Sequence, residues 1–108
     1  MLELLEEQKG KITGIIQDTN RFTATLAPEV KVDLTEALKQ NGVQLTLNLK
    51  NIKFIDSTGI GVLISALKTA RQNNSSFVLC AVQKDVMSLL TLMKLDQIFD
   101  FDSSDMDC

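Results

Sequence analysis

Between Val43 and Lys50 the chain alternates strictly, with Val43, Leu45, Leu47 and Leu49 apolar and Gln44, Thr46, Asn48 and Lys50 polar. A period of two describes an extended strand with one face buried. Elsewhere the spacing is helical. Val30, Leu34 and Leu38 recur every four residues with Ala37 beside them. Pro28 can open that helix in its first turn, and Gly42 suits a left-handed C-cap. Ile60, Leu63, Ile64, Leu67 and Ala70 form the buried stripe of a second helix, which starts at Ser57 and stops at the polar run "QNNSS". In "KDVMSLLTLMKL", Val86, Leu89, Leu90 and Met93 share one face of a third helix, with Asp85 as its N-cap.

The remaining segments complete the order. "MLELLEEQ" has helical propensity, but the turn at Lys9–Lys11 and the β-branched "ITGIIQD" behind it predict a hairpin. "TNRFTATLAP" reads as a loop, and "NIKFID" prolongs the Val43 strand. "SFVLCAV" is a further strand, and "QIFDF" closes the chain as a short one with Phe99 and Phe101 pointing the same way. The order is ββαβαβαβ, a single α/β domain over 1–108 with helices packed on a mixed sheet. The acidic polar stretch from about 102 to 108 is expected to be a mobile tail. No internal repeat, low-complexity tract or linker interrupts the chain.

Composition excludes several classes of function. A chain of 108 residues, 44% hydrophobic and 23% charged, fits one soluble globular domain. No apolar run approaches the ~20 residues needed to cross a bilayer. The acidic start "MLELLEEQKG" lacks the marks of a signal peptide, so a cytoplasmic location without direct membrane insertion is expected. The formal net charge is −3, the 11 basic residues are scattered, and there is no Trp or Tyr, which makes nucleic acid a poor partner. Histidine is absent, so Ser-His-Asp catalysis, Cys-His catalysis and His-based zinc sites are not expected. Of the two cysteines, Cys80 reads as a buried inert thiol and Cys108 as part of the tail. No catalytic residue, metal site or cofactor is expected.

The chemistry concentrates in "FIDSTGIGVLISAL", Phe54 to Leu67, where a strand turns sharply into a helix through a carboxylate and two hydroxyls. Ser57 can serve as the helix N-cap, with Asp56 favouring the positive end of the helix dipole and Gly59 easing the turn. A nucleophile would need a general base, and the stretch matches neither a Gly-x-Ser-x-Gly elbow nor a P-loop. A hydroxyl at a helix N-terminus can also accept a phosphate, which the free amides and the dipole accommodate. Away from the buried stripe the helix presents Thr58, Gly61, Ser65, Lys68 and Gln72, with Val62 on the flank. Gly61 costs roughly 1 kcal/mol against Ala in a helix, a cost explained by local packing or by a closely approaching partner.

The stretch "LTLNLKNIKFIDSTGIGVLISALKTARQNNSSFVLCAV" resembles the core of the STAS family, the bacterial anti-sigma factor antagonists. The specific match runs from Val43 to about Val82, and the order of elements agrees over the whole chain. The resemblance implies a protein-binding module that sequesters a serine-kinase anti-sigma factor and so releases a sigma factor. It implies phosphorylation by that kinase at Ser57, with Thr58 the second choice, and reversal by a serine phosphatase. Asp56, Ser57, Thr58, Gly59, Gly61 and Val62 are the expected partner-binding residues. The chain departs from the family pattern at Asn48, where Asp is common, and at Thr23, the nearest counterpart of another acidic position. The alternative within the same family is a non-switching interaction subunit of a stressosome-type or transporter-associated complex, with Ser57 only a cap.

Overall fold

The computed structural model describes residues 1–102, so Cys108 and most of the expected tail lie outside the described residues. Strand β1 (Leu2–Gln8) and β2 (Lys11–Ile16) form the antiparallel hairpin that the Lys9–Lys11 turn predicts, with Leu2 opposite Ile16 and Leu5 opposite Thr13. The helical propensity of the first eight residues yields to pairing with β2. After α1 (Ala27–Leu38), β4 (Gln44–Asn48) adds parallel to β2, with Thr13 beside Thr46. After α2 (Ser57–Gln72), β6 (Ser76–Cys80) adds parallel to β4. After α3 (Lys84–Leu92) and a 3-10 turn at Leu95–Gln97, β7 (Asp100–Phe101) closes the edge. The main sheet thus runs β1-β2-β4-β6-β7. Helical crossovers between its parallel strands are what such a sheet requires.

Register decides which side chains meet. Ile12, Ile16, Leu45, Leu47, Phe77 and Leu79 share one face and are buried together with Leu34 and Leu38 of α1 and Leu63 and Leu67 of α2. Thr13, Ile15, Thr46 and Val78 on the other face are half-buried. Cys80 is buried at the end of β6, as its apolar run implies, but it is disulfide-bonded and so not the free thiol expected there. No helix of the described residues is long and apolar enough to cross a membrane.

Two expectations about strands are corrected. The extended run does not continue from Val43 to the corner: β4 ends at Asn48, whose side-chain oxygen accepts the Lys50 amide at 2.8 Å and turns the chain. Leu49 and Ile52 anchor that turn in the core, and the chain extends again as β5 (Phe54–Ile55). The loop-like "TNRFTATLAP" contains β3 (Arg21–Phe22), which pairs in parallel with β5 in a separate two-stranded sheet. Two residues are too few for a period-two signal.

Helix ends also differ from expectation. The first helix ends at Leu38 with Lys39 as C-cap, and Gly42, at φ +77°, serves the turn beyond, where its amide donates to the Asn73 carbonyl. The N-cap of α3 is Gln83, without a side-chain cap, because the helix starts two residues earlier than an Asp85 cap allows; Asp85 sits in the first turn. Met93 follows the last residue of α3 and is exposed, while Val86 and Leu90 carry the buried face. Asp102 still belongs to the sheet edge, its amide donating to the Leu79 carbonyl at 2.9 Å.

Candidate functional site

The corner is built where β3 and β5 end side by side. The Asp56 amide donates to the Phe22 carbonyl at 3.3 Å, which prolongs the pairing by one residue. Asp56 is itself extended, at φ −101° and ψ −178°, the backbone of an N-cap. Its Oδ1 accepts the Gly59 amide at 2.8 Å, and its Oδ2 accepts the Ala24 amide at 3.1 Å. One carboxylate therefore caps α2 and ties down the loop between β3 and α1. That corrects the expected cap: Asp56 holds the role, and Ser57 is the first residue of the helix.

Relieved of capping, Ser57 and Thr58 are both exposed, and neither hydroxyl is engaged among the described residues. The amides of a helix's first turn have no intrahelical acceptor. Ser57 thus places an uncommitted hydroxyl at the positive end of a 16-residue helix.

The two glycines of the corner differ in kind. A Cβ at Gly59 would overlap the Phe22 carbonyl oxygen and lie 2.8 Å from Ile55 Cγ1, so only glycine lets α2 start this close to β3. Gly59 is buried and structural. At Gly61 an added Cβ would meet nothing within 4 Å, so packing among the described residues does not explain that glycine. Val62 is only 5% exposed and faces the core, which corrects its expected place on the outer flank. It falls in line with Gly59 and Ala66 to give α2 a second buried stripe, since the helix is flanked by α1 as well as by the sheet. Ile64, expected in the core, is half-buried. Thr58, Gly61, Lys68 and Gln72 do face solvent, and Ser65 is half-buried.

Ala24 and the Phe22 carbonyl complete the site, and reading the sequence missed both, because no local pattern links them to a helix more than 30 residues on. The Thr23 carbonyl accepts the Leu26 and Ala27 amides and so leads into α1. The corner forms a surface, not a cavity. A cavity of about 630 Å³ lies elsewhere, lined by residues including Lys50, Leu79, Val82 and Phe101. Among the described residues no cluster of three or more His, Cys, Asp or Glu side chains gathers.

The STAS domain family matches residues 6–106. This chain belongs to the STAS family. It is 32% identical over 95 residues to the anti-sigma F factor antagonist of Paenibacillus polymyxa, covering 87% of this chain and 80% of that one. In structure it is similar to an anti-sigma-factor antagonist (STAS) domain protein from Planctomyces limnophilus, with a TM-score of 0.85 at 15% identity, covering 98% and 92% of the two chains. It also resembles the Bacillus cell-fate determinant SpoIIAA in its phosphorylated form, with a TM-score of 0.73 at 11% identity over 96% and 93%. The STAS domain is a binding and regulatory module without catalytic activity.

Two measurements check the geometry. Asp56→Ala should lower unfolding free energy by about 2 kcal/mol in chemical denaturation, from loss of the cap and the loop tether together. Asp56→Asn should lie between, because an amide offers one oxygen where two are used. Gly59→Ala should destabilise by about 1–3 kcal/mol through overpacking, whereas Gly61→Ala should stabilise by up to about 1 kcal/mol.

Proposed function

We propose that this STAS domain is a phosphorylation-switched anti-sigma factor antagonist of the cytoplasm. Unphosphorylated, it binds a serine-kinase anti-sigma factor and so frees a sigma factor. Phosphorylated at Ser57 by that kinase, it lets go, and a serine phosphatase restores it. The carrying observation is that Asp56 takes over the N-cap, which leaves the Ser57 hydroxyl exposed and, among the described residues, unbonded. A serine engaged in capping would already commit one of its oxygen lone pairs to a backbone amide. The antagonist relative and the fold shared with a phosphorylated protein support the same reading.

The mechanism is electrostatic and needs no refolding. A phosphoserine carries nearly two negative charges, and the α2 dipole and first-turn amides accommodate them at little cost to the domain. The partner is what the charge repels. Its footprint covers Ser57, Thr58 and Gly61, while Asp56, Gly59 and Val62 hold that surface from beneath. Thr58, exposed one residue on, is the second candidate acceptor.

Ser57→Ala should unfold within about 0.5 kcal/mol of wild type, because no cap is lost, yet take up no phosphate from the purified serine-kinase anti-sigma factor and ATP. Undiminished phosphate by mass spectrometry would move the acceptor to Thr58. Ser57→Asp should weaken binding to the same kinase about tenfold or more in titration calorimetry, at unchanged melting temperature. Unchanged affinity in both Ser57→Asp and the phosphorylated protein would leave a non-switching interaction subunit. Gly61→Arg should remain folded by circular dichroism, since position 61 opens to solvent, and lose binding through steric exclusion.

A further inference from the structure

The short strands β3 and β5 lie in parallel register, Arg21 beside Phe54 and Phe22 beside Ile55. Side chains alternate between the faces of a strand. Phe22 and Ile55 are buried, so Arg21 and Phe54 point outward. The Arg21 guanidinium carbon lies 4.3 Å from the Phe54 ring centroid, a cation–π stack. Phe54 nevertheless stays 45% exposed.

Cross-strand pairing explains part of this, because the stack covers one face of the ring and ties two very short strands together. It does not use the rim of the guanidinium. Stacking engages the flat face, and the N–H donors around the edge stay free for a planar acceptor. No carboxylate among the described residues pairs with Arg21.

Position gives the pair its meaning. One step along the two strands from Arg21 and Phe54, the outward places belong to Thr23 and Asp56, and Ser57 follows directly. Phe54 precedes Ser57 by three residues, a span of at most about 10 Å. The cationic-aromatic spot and the switch serine therefore belong to one continuous surface. Arginine and aromatic side chains are the residues that most often dominate binding energy at interfaces.

We propose that Arg21 and Phe54 form a second anchor for the kinase, docking a segment that presents a carboxylate beside an apolar side chain. The proposal rests on the switch reading above. Arg21 pairs with the carboxylate through its rim, and the open part of the Phe54 ring receives the apolar side chain. Phosphate on Ser57 lies near enough for its charge to reach Arg21, so it competes with the partner's carboxylate for the same cation. Phosphorylation thus weakens the anchor as well as repelling the partner.

The test measures affinity of the purified serine-kinase anti-sigma factor for the intact, unphosphorylated chain and four variants. Arg21→Glu should bind about tenfold or more weakly, with the loss shrinking as salt is raised. Arg21→Lys should lie between, keeping the charge and losing the planar stack. Phe54→Ala should weaken binding with little change in its salt dependence. A purely structural role for the pair would change melting temperature and leave the salt dependence of affinity untouched. If Ser57→Asp weakens binding while Arg21→Glu stays within about twofold of wild type, or binds more tightly, the anchor is refuted and the switch stands. If wild type itself does not bind the kinase, the switch reading fails and the anchor falls with it.

Discussion

A single carboxylate organises the strand-to-helix corner of this domain. Asp56 spends one oxygen on the Gly59 amide and the other on the Ala24 amide, two groups that point to it from different parts of the chain. The first bond starts α2; the second holds the loop that leads into α1. A serine or threonine cap would satisfy the helix and leave the loop untethered, because one hydroxyl oxygen would have to face two donors in different directions. The close seat of Gly59 under Phe22 depends on the same arrangement, since α2 begins where β3 and β5 end. The exposure of Ser57 follows from it as well.

The fold was largely legible wherever one period dominated a stretch. Val43 to Lys50 alternates over enough residues to declare a strand, and Val30–Leu34–Leu38 declares a helix. What escaped was decided by contacts across the chain. Arg21–Phe22 and Phe54–Ile55 become strands only because each finds the other, and two residues have no period to display. Val62 misleads a helical wheel because α2 is packed on two sides, which widens its buried arc beyond one stripe. Gly42 and Asp85 carry the right chemistry for helix ends, but the helices end and begin elsewhere.

The strand-to-helix corner was legible as a place, and its capping roles were misread. "IDSTG" marks a strand-to-helix corner, and either Asp56 or Ser57 is a good N-cap by type. Local sequence does not rank them; the Ala24 amide does, because it offers the second donor that only a carboxylate can also accept. Gly59 and Gly61 look alike on paper, two glycines two residues apart in a helix. Phe22 lies against the first, and open solvent lies against the second. The cation–π pair was invisible for the same reason as its strands: Arg21 and Phe54 are neighbours only after folding.

The emptiness around Gly61 has a consequence for how such a domain diverges. A substitution at a buried position must first pass the stability threshold before it can be tried for function. Position 61, and Ser57 with its unbonded hydroxyl, are free of that filter, because the helix start is secured by Asp56 and Gly59. Duplicate copies of this chain in one genome could therefore exchange residues on the outer surface of α2 with no loss of foldability. Changes there would remake the outer surface of the domain and leave its core unaltered.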